Sequence, residues 1–352
     1  MKSKYKIIGA MSGTSLDGLD LVCATFEKKT AWEFEILKAT TYAYTSEWKE
    51  TLAQLNQYSP KKIKDIEKEY ICLLADKILD FTTDLDGIDF VSSHGHTVFH
   101  QPDKGITLQI GNSVDLSRFI NLPVICDFRT QDVALGGQGA PLVPIGDLYL
   151  FKSFSACLNL GGFANVSKKK GFEVSAYDVC AVNTVLNKLA KEKELDFDPE
   201  GSLAQSGKNI PELFEALESL NFYTKKAPKS LGIEWVIQEV FPILDRFANE
   251  TLEDRIHTYT RHVAKQIGER FTAKDTVLIS GGGAKNLYLI AAIRSYSDAS
   301  FTIPKVEIID FKEALIFAFL GLLRKQNKIN CLSSVTGSSK DHCSGQIFYP
   351  EK

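Results

Sequence analysis

Residues 11–20 read MSGTSLDGLD and crowd Gly13, Thr14, Ser15, Leu16, Asp17 and Gly18 between two apolar runs, KIIGAM and LDLVCATFE. The runs are short and partly β-branched, so they read as strands. A plain hairpin needs only two turn residues. Six residues rich in glycine and hydroxyls let the backbone approach a ligand and offer donors to phosphate oxygens. A long polar turn without a ligand has the same composition, so this motif alone decides nothing. Two other strand-terminal turns share its character: NLGGFANVS, with Gly161, Gly162 and Asn165, and SGGGAKN, with Gly281, Gly282, Gly283 and Asn286. Neither the P-loop pattern nor G-x-G-x-x-G occurs. Two hairpin turns from duplicated domains could clamp phosphates by their backbone N–H groups. A triple glycine that opens a helix favours an anion or a close-packed nucleoside. Together the three turns point to a nucleotide.

The elements that must position these turns form two α/β series. In the first, AWEFEILKATTYAYT reads as a third strand after the opening hairpin, and IDFVSSHG and LPVICDF as further strands. Helical spacing puts Ile63, Ile66, Tyr70, Leu73 and Leu74 on one side of IKDIEKEYICLLADKILDFTTD. The second series starts near Phe154, where SACLNLGGFANVSKKKGFEVSAYD gives strand, Gly-Gly turn, strand, turn, strand. This repeats the opening organisation and suggests a structural duplication. DTVLISGGGAKNLYLIAAIRSY reads as strand, triple glycine and helix, KVEIID as a strand, and FKEALIFAFLGLLRKQ as a helix. The expected domains are 1–153, joined by the tail 330–352, and 154–329, packed across a cleft.

The 352 residues carry a net charge of −3, which gives no drive toward nucleic acid or an anionic membrane. The longest apolar run, Ala314 to Leu323, is too short to span a bilayer and reads as a buried helix. No signal core follows the first residues, so a cytoplasmic location is the default. The seven cysteines are dispersed, and an odd number suits no disulfide framework. Cys23, Cys126 and Cys157 fall in strand-like runs and read as core. Cys331, His342 and Cys343 lie close in the tail but fit no usual zinc spacing, and His94, His96 and His100 also lack a ligand pattern.

The arrangement resembles the superfamily of sugar kinases, heat-shock chaperones and actin ATPases. Within it the chain is similar to the anhydro-N-acetylmuramic acid kinase family along nearly its whole length. The carriers include MSGTSLDGLD, SSHGHTVFHQP (92–102), TLQIGN (107–112) and VICDFRTQDVALGGQGAPLVP (124–144). NLGGFANVS, PKSLG (228–232), SGGGAKN, KEALIFAFL (312–320) and SSVTGSS (333–339) complete them. The resemblance implies two duplicated actin-like ATPase domains of ribonuclease H-like α/β fold. It also implies a kinase that uses ATP and Mg²⁺ to phosphorylate 1,6-anhydro-N-acetylmuramic acid, a recycled cell-wall sugar, while water opens the anhydro bridge. The product is N-acetylmuramic acid 6-phosphate. The partners are then the small sugar and ATP, with a homodimer left open and neither nucleic acid nor membrane involved.

Carried over residue by residue, the resemblance makes Asp178 the base that activates water; helix N-cap is its bland alternative. Asp17 becomes the metal-shell candidate, ahead of Asp20. Gly13, Thr14 and Ser15 face phosphates, Gly161, Gly162 and Asn165 oppose them, and Gly281–Gly283 with Asn286 border adenosine. Arg129 suits the sugar's lactyl carboxylate, with burial beside Asp127 or Asp132 as its alternative. His94, Thr97, Asp132 and Glu313 complete the sugar candidates. Two departures stand out: DVCAVN (178–183) replaces the family's Asp-Thr-Gly-Pro run, and His96 stands where Gln is usual. The other readings are a different sugar kinase of the superfamily, or a degenerate kinase that binds its ligands with little turnover.

Overall fold

A computed structural model describes residues 2–13, 15–171 and 173–350. The chain divides into two units, 1–150 with 311–352, and 151–310. In the first, β1 (Lys4–Ser12), β2 (Gly18–Lys28) and β3 (Trp32–Ala43) form an antiparallel meander. β4 (Phe90–Ser93) lies parallel to β1. β5 (His96–Gln101) and β6 (Ile106–Ile110) make a separate two-stranded sheet, and β7 (Val124–Cys126) lies parallel to β4.

The second unit holds β8 (Ala156–Leu160), β9 (Phe163–Lys170) and β10 (Glu173–Ala181) as a meander. β11 (Thr276–Ser280) runs parallel to β8, and β12 (Ser300–Thr302) parallel to β11. β13 (Gln346–Phe348), from the tail, pairs antiparallel with β7 and extends the first sheet.

The strand orders are β13-β7-β4-β1-β2-β3 and β10-β9-β8-β11-β12. Read from the third strand of each meander, both run third, second, first, then two parallel strands, with β13 the addition in the first. The duplication expected from the hairpins is therefore a repeated strand order.

The helix Pro60–Phe81 begins as its sequence suggests: Ser59 caps the Lys62 N–H, and Pro60 occupies a position where no amide donor is needed. Its buried face carries Ile63, Ile66, Tyr70, Ile71, Leu74 and Ile78. Each such burial contributes about 1.5–3 kcal/mol. Cys23, Cys126 and Cys157 are core residues, and no helix among the described residues is long and apolar enough to cross a membrane.

One element was misread. KVEIID is not a strand but the start of a single helix, Val306–Lys325. Its β-branched residues favoured a strand reading, but the chain continues helically into the apolar run, and the strand lies upstream at β12. Chain returns to the first unit from Phe311, earlier than the expected 330, because this helix docks on the first sheet. Ser92 Oγ donates to the Phe317 carbonyl at 2.6 Å. A Cβ on Gly9 would sit 2.0 Å from the Ala314 carbonyl oxygen, so β1 and the helix meet backbone to backbone.

That contact cannot relax by turning a side chain. Gly9→Ala is expected to lower stability in urea titration by at least about 1–3 kcal/mol, the usual cost of overpacking. Gly13→Ala, whose Cβ would meet nothing nearer than 3.5 Å, should unfold at the parent's midpoint.

Candidate active site

The first Gly-rich turn joins β1 to β2. Asp17 is exposed, and its carboxylate makes no hydrogen bond within the chain among the described residues. Its backbone carbonyl accepts the Tyr44 N–H at 3.4 Å. An oxygen donor held in place and open to solvent fits a water-bridged Mg²⁺. Asp20, by contrast, accepts a 2.6 Å bond from Thr41 Oγ1. Leu16 adopts φ 59°, and Ser15 is exposed. Thr14 lies outside the described residues. The two flanking glycines differ in what they serve. A Cβ on Gly18 would come within 2.4 Å of the Tyr42 carbonyl oxygen, so β3 explains that glycine, whereas packing does not explain Gly13.

Below this turn lies a polar chain that sequence reasoning missed. Tyr44 donates to Ser12 Oγ at 2.7 Å, which leaves the serine proton for His96 Nδ1, 2.8 Å away. Tyr44 and Tyr70 hydroxyls are 2.9 Å apart. Burial drops the His96 imidazole to about 4, so it is neutral and able to accept. The only signal in sequence was His96 standing at a Gln position.

His94 and Arg129 come together, though 35 residues apart in sequence. His94 Nδ1 lies 2.9 Å from the Gly95 carbonyl and donates to it, so Nε2 carries the lone pair. Arg129 points its Nε and Nη2 at that atom, 3.0 and 2.8 Å away, and its Nη1 donates to the Gly139 carbonyl at 2.6 Å. Burial, with the Arg129 charge adding to it, keeps His94 well below its usual range. Burial lowers the guanidinium too, and the Glu313 carboxylate opposes that. Arg129 is thus paired with neither Asp127 nor Asp132.

Asp132 is fully buried and does not present itself to a ligand. Its Oδ2 accepts the Gly139 N–H at 2.7 Å, and its Oδ1 accepts Thr336 Oγ1 at 2.7 Å. It is a positioning residue under the Gly136–Gly139 loop, and the expected sugar contact is corrected on that ground. Thr97 is half-buried on β5. Glu313 is exposed on the second turn of its helix rather than at the helix start.

In the second unit the register aligns polar residues across the sheet. Asp178 on β10 faces Asn165 on β9, Asn165 faces Asn159 on β8, and Asn159 faces Ser280 on β11. Aligned neighbours project from the same face of a sheet. Ser280 Oγ is buried without a hydrogen-bond partner among the described residues, an orphan at the end of a polar row. Next to it, the Gly161 and Gly162 carbonyls accept N–H groups from Val182, Asn183 and Thr184. Asn183 Nδ2 adds a 3.3 Å bond to the Leu160 carbonyl.

Gly281 has φ 82°, and a Cβ there would lie 2.5 Å from Asn159 Oδ1. The triple glycine leads into a 3₁₀ turn, Gly282–Lys285, and the α-helix begins only at Leu287. Asn286 is that helix's N-cap and accepts the Leu289 N–H at 2.8 Å. Gly282 remains exposed with open space around it. Asn159 and Ser280 were not foreseen, because cross-strand register brings them together, and Asn183 joins them from the start of a helix.

Asp178 is no helix cap. The helix Asn183–Ala190 starts after Val182, and Asp178 lies within β10 beside a bulge between Asp178 and Cys180. A bulge re-aims side chains. Asp178 Oδ2 accepts the Leu231 N–H at 2.8 Å, and its own N–H donates to the Lys229 carbonyl at 2.9 Å. The PKSLG segment thereby fixes one oxygen, while Oδ1 takes no hydrogen bond within the chain among the described residues. Burial raises the carboxyl, and the Leu231 amide partly opposes this.

The two units repeat one α/β strand order and carry glycine-rich turns at the ends of their strands. The chain belongs to the anhydro-N-acetylmuramic acid kinase family, whose model matches residues 5–350. It is 29% identical over 383 residues to the anhydro-N-acetylmuramic acid kinase of Bacillus cereus (strain ATCC 10987), covering 98% of this chain and 99% of that one. The same-named protein of Sulfurimonas denitrificans is 30% identical over 370 residues, covering 97% of this chain and 98% of the relative. Among solved structures, the activator of the 2-hydroxyisocaproyl-CoA dehydratase from Clostridium difficile, with bound ADPNP, matches at a TM-score of 0.42 and 15% identity. That alignment covers 93% of this chain and 97% of the activator.

His96 carries a consequence for stability. Its folded value, about 4, lies below the ordinary 6.5, so the unfolded chain takes up its proton first as pH falls. Its contribution is present in full above 6.5 and is lost progressively between 6.5 and 4. His96→Gln should flatten that part of the curve when unfolding is followed from pH 7 to 4. Parallel curves for parent and variant would mean that His96 is not held neutral.

Proposed function

We propose that this kinase acts on 1,6-anhydro-N-acetylmuramic acid, couples hydrolytic opening of the anhydro bridge to phosphorylation of O6, and serves peptidoglycan recycling in the cytoplasm. The observation that carries this reading is Asp178, with one oxygen fixed by the Leu231 amide and the other available. Water is a poor nucleophile at neutral pH, and a carboxylate of raised pKa beside it is a suitable general base. Attack at the anomeric carbon from the face opposite the departing O6 is the base half of an inverting glycosidase. Asp178 takes the water proton as the C1–O6 bond breaks, and O6 becomes the acceptor for the γ-phosphoryl group.

The other residues bind and orient. Arg129, held by His94 and Gly139, presents its positive charge to the lactyl carboxylate, and Thr97 and Glu313 contact the sugar. The amides at Gly13, Ser15 and Gly162, with Asn165, hold phosphates, and Gly161, whose N–H closes the turn on the Phe163 carbonyl, shapes the opposing loop. Gly281–Gly283 border the adenosine, with Asn286 capping the helix behind them. Thr14 joins the first phosphate group through the family resemblance alone. Mg²⁺ at Asp17, through water, would neutralise charge on the transferring phosphoryl group.

A coupled assay tests the reading: ADP release should require the anhydro-sugar and yield N-acetylmuramic acid 6-phosphate. Release with an ordinary hexose, or tight binding of both ligands with no product, sinks it. Asp178→Asn should fold and bind both ligands like the parent, yet lose turnover by roughly 10²–10⁴-fold. The acid limb of the parent's pH–rate profile should lie above 3.8, the ordinary aspartate value. A variant that turns over like the parent would place the base elsewhere.

A further inference from the structure

One cluster among the described residues brings three metal-ligating side chains together away from this chemistry. Asp132 Oδ1, Cys331 Sγ and His342 Nε2 all lie within 4.8 Å of one another. All three residues are buried, at 0%, 2% and 5% exposure. Cys331 and His342 face each other as an antiparallel bridge, with N–H···O distances of 3.1 and 3.2 Å. Asp132 reaches them from 199 residues away in sequence, which is why tail spacing alone matched no zinc pattern.

The orphaned nitrogen of the cluster is what asks for a cation. His342 Nδ1 donates to the Lys340 carbonyl at 3.1 Å, which turns Nε2 toward Asp132. That nitrogen is buried with no hydrogen-bond partner, 3.5 Å from Asp132 Oδ1. A buried imidazole nitrogen without a partner, aimed at a carboxylate oxygen that already accepts from Thr336 and Cys331, is a costly arrangement that a cation between them relieves. Cys331 Sγ is 3.1 Å from the same oxygen. Around a tetrahedral ion with bonds of about 2.0 Å to nitrogen and oxygen and about 2.3 Å to sulfur, neighbouring ligands stand roughly 3.3–3.5 Å apart. The observed separations need only small adjustments to reach that.

We propose that Asp132, Cys331 and His342 bind a divalent ion of the zinc class that staples the tail to the Gly136–Gly139 loop. Thiolate and imidazole donors select zinc-type ions over magnesium or calcium, which prefer oxygen. Thiolate plus carboxylate neutralises the ion's two charges, which suits a buried site. Burial, aided by Asp132, keeps Cys331 a thiol until an ion arrives. Forming the metal–sulfur bond then releases that one proton to solvent; His342 Nε2 has none to lose, and no oxidation state changes. Asp132 Oδ2 stays on the Gly139 N–H, whose residue also accepts Arg129, so the ion would brace the loop that supports the guanidinium.

The test uses the full-length chain, stripped with a chelator and titrated with Co²⁺ and then Zn²⁺. The expected result is one ion per chain, a sulfur-to-cobalt charge-transfer band, release of about one proton at neutral pH, and a higher melting temperature with zinc. Cys331→Ser should abolish the band, His342→Gln should abolish stoichiometric uptake, and Cys343→Ser should change neither. Should the first two variants fail to fold, the parent's cobalt spectrum decides alone. Absence of stoichiometric uptake or of the band in the parent overturns the proposal.

Discussion

Much of the first unit rests on how closely the helix Val306–Lys325 lies against its surroundings. Three glycines make the approach, and each faces an obstacle that a methyl group would strike. Gly9 meets the Ala314 carbonyl at 2.0 Å, Gly321 meets Ser92 Oγ at 2.4 Å, and Gly146 meets Ile316 at 2.5 Å. The Gly9 contact is backbone against backbone and has no side-chain slack, and the other two press on buried side chains, so the helix has one seat. That seat puts Phe317 under the His94 ring, with centroids 4.7 Å apart, and sets the height of Glu313. It also places the buried pair Lys312–Asp147, 2.7 Å from nitrogen to oxygen, where loss of either partner would strand a charge. The orientation of Arg129 is thus secured from below as well as by its own hydrogen bonds.

The second unit achieves order differently. Its polar residues are aligned by strand register, and a one-residue slip would turn every one of them to the opposite face. The bulge after Asp178 is the one interruption, and it falls where the sequence departs from the family's Asp-Thr-Gly-Pro run. The backbone contacts to Lys229 and Leu231 fix the aspartate without calling on the turn that glycine and proline would shape. This gives a physical account of how the carboxylate keeps its support after those two residues are replaced.

The architecture was largely legible in the sequence because hydrophobic spacing and Gly-rich punctuation mark element ends, as the two meanders and the helix Pro60–Phe81 show. KVEIID failed because β-branched residues after Pro304 suit a strand and a helix start alike, and docking on the first sheet decides between them. The candidate site was legible in its residue types and much less in its geometry. Arg129 read as a cation for the sugar carboxylate, with a neighbouring aspartate as the alternative partner, while the side chain it meets, His94, arrives from another strand end. Asp132 read as a sugar contact, yet its two carboxylate oxygens are taken by the Gly139 N–H and Thr336 Oγ1. Asn159 and Ser280 carried no local signal, since cross-strand register alone gives them polar neighbours, and Ser12 meets Tyr44 and His96 only through tertiary packing.

The split of the first unit has a bearing on biosynthesis. Residues 151–310 form one uninterrupted stretch, so that unit is complete once Asp310 has left the ribosome. The first unit has by then been waiting, with the seat around Gly9 and Ser92 empty and the outer side of β7 unpaired until β13 arrives. An open strand edge beside bare apolar surface is what chaperones bind and what aggregates. The later-synthesised unit is therefore free to mature first, and the earlier one is the nascent chain's vulnerable part until its last residues emerge.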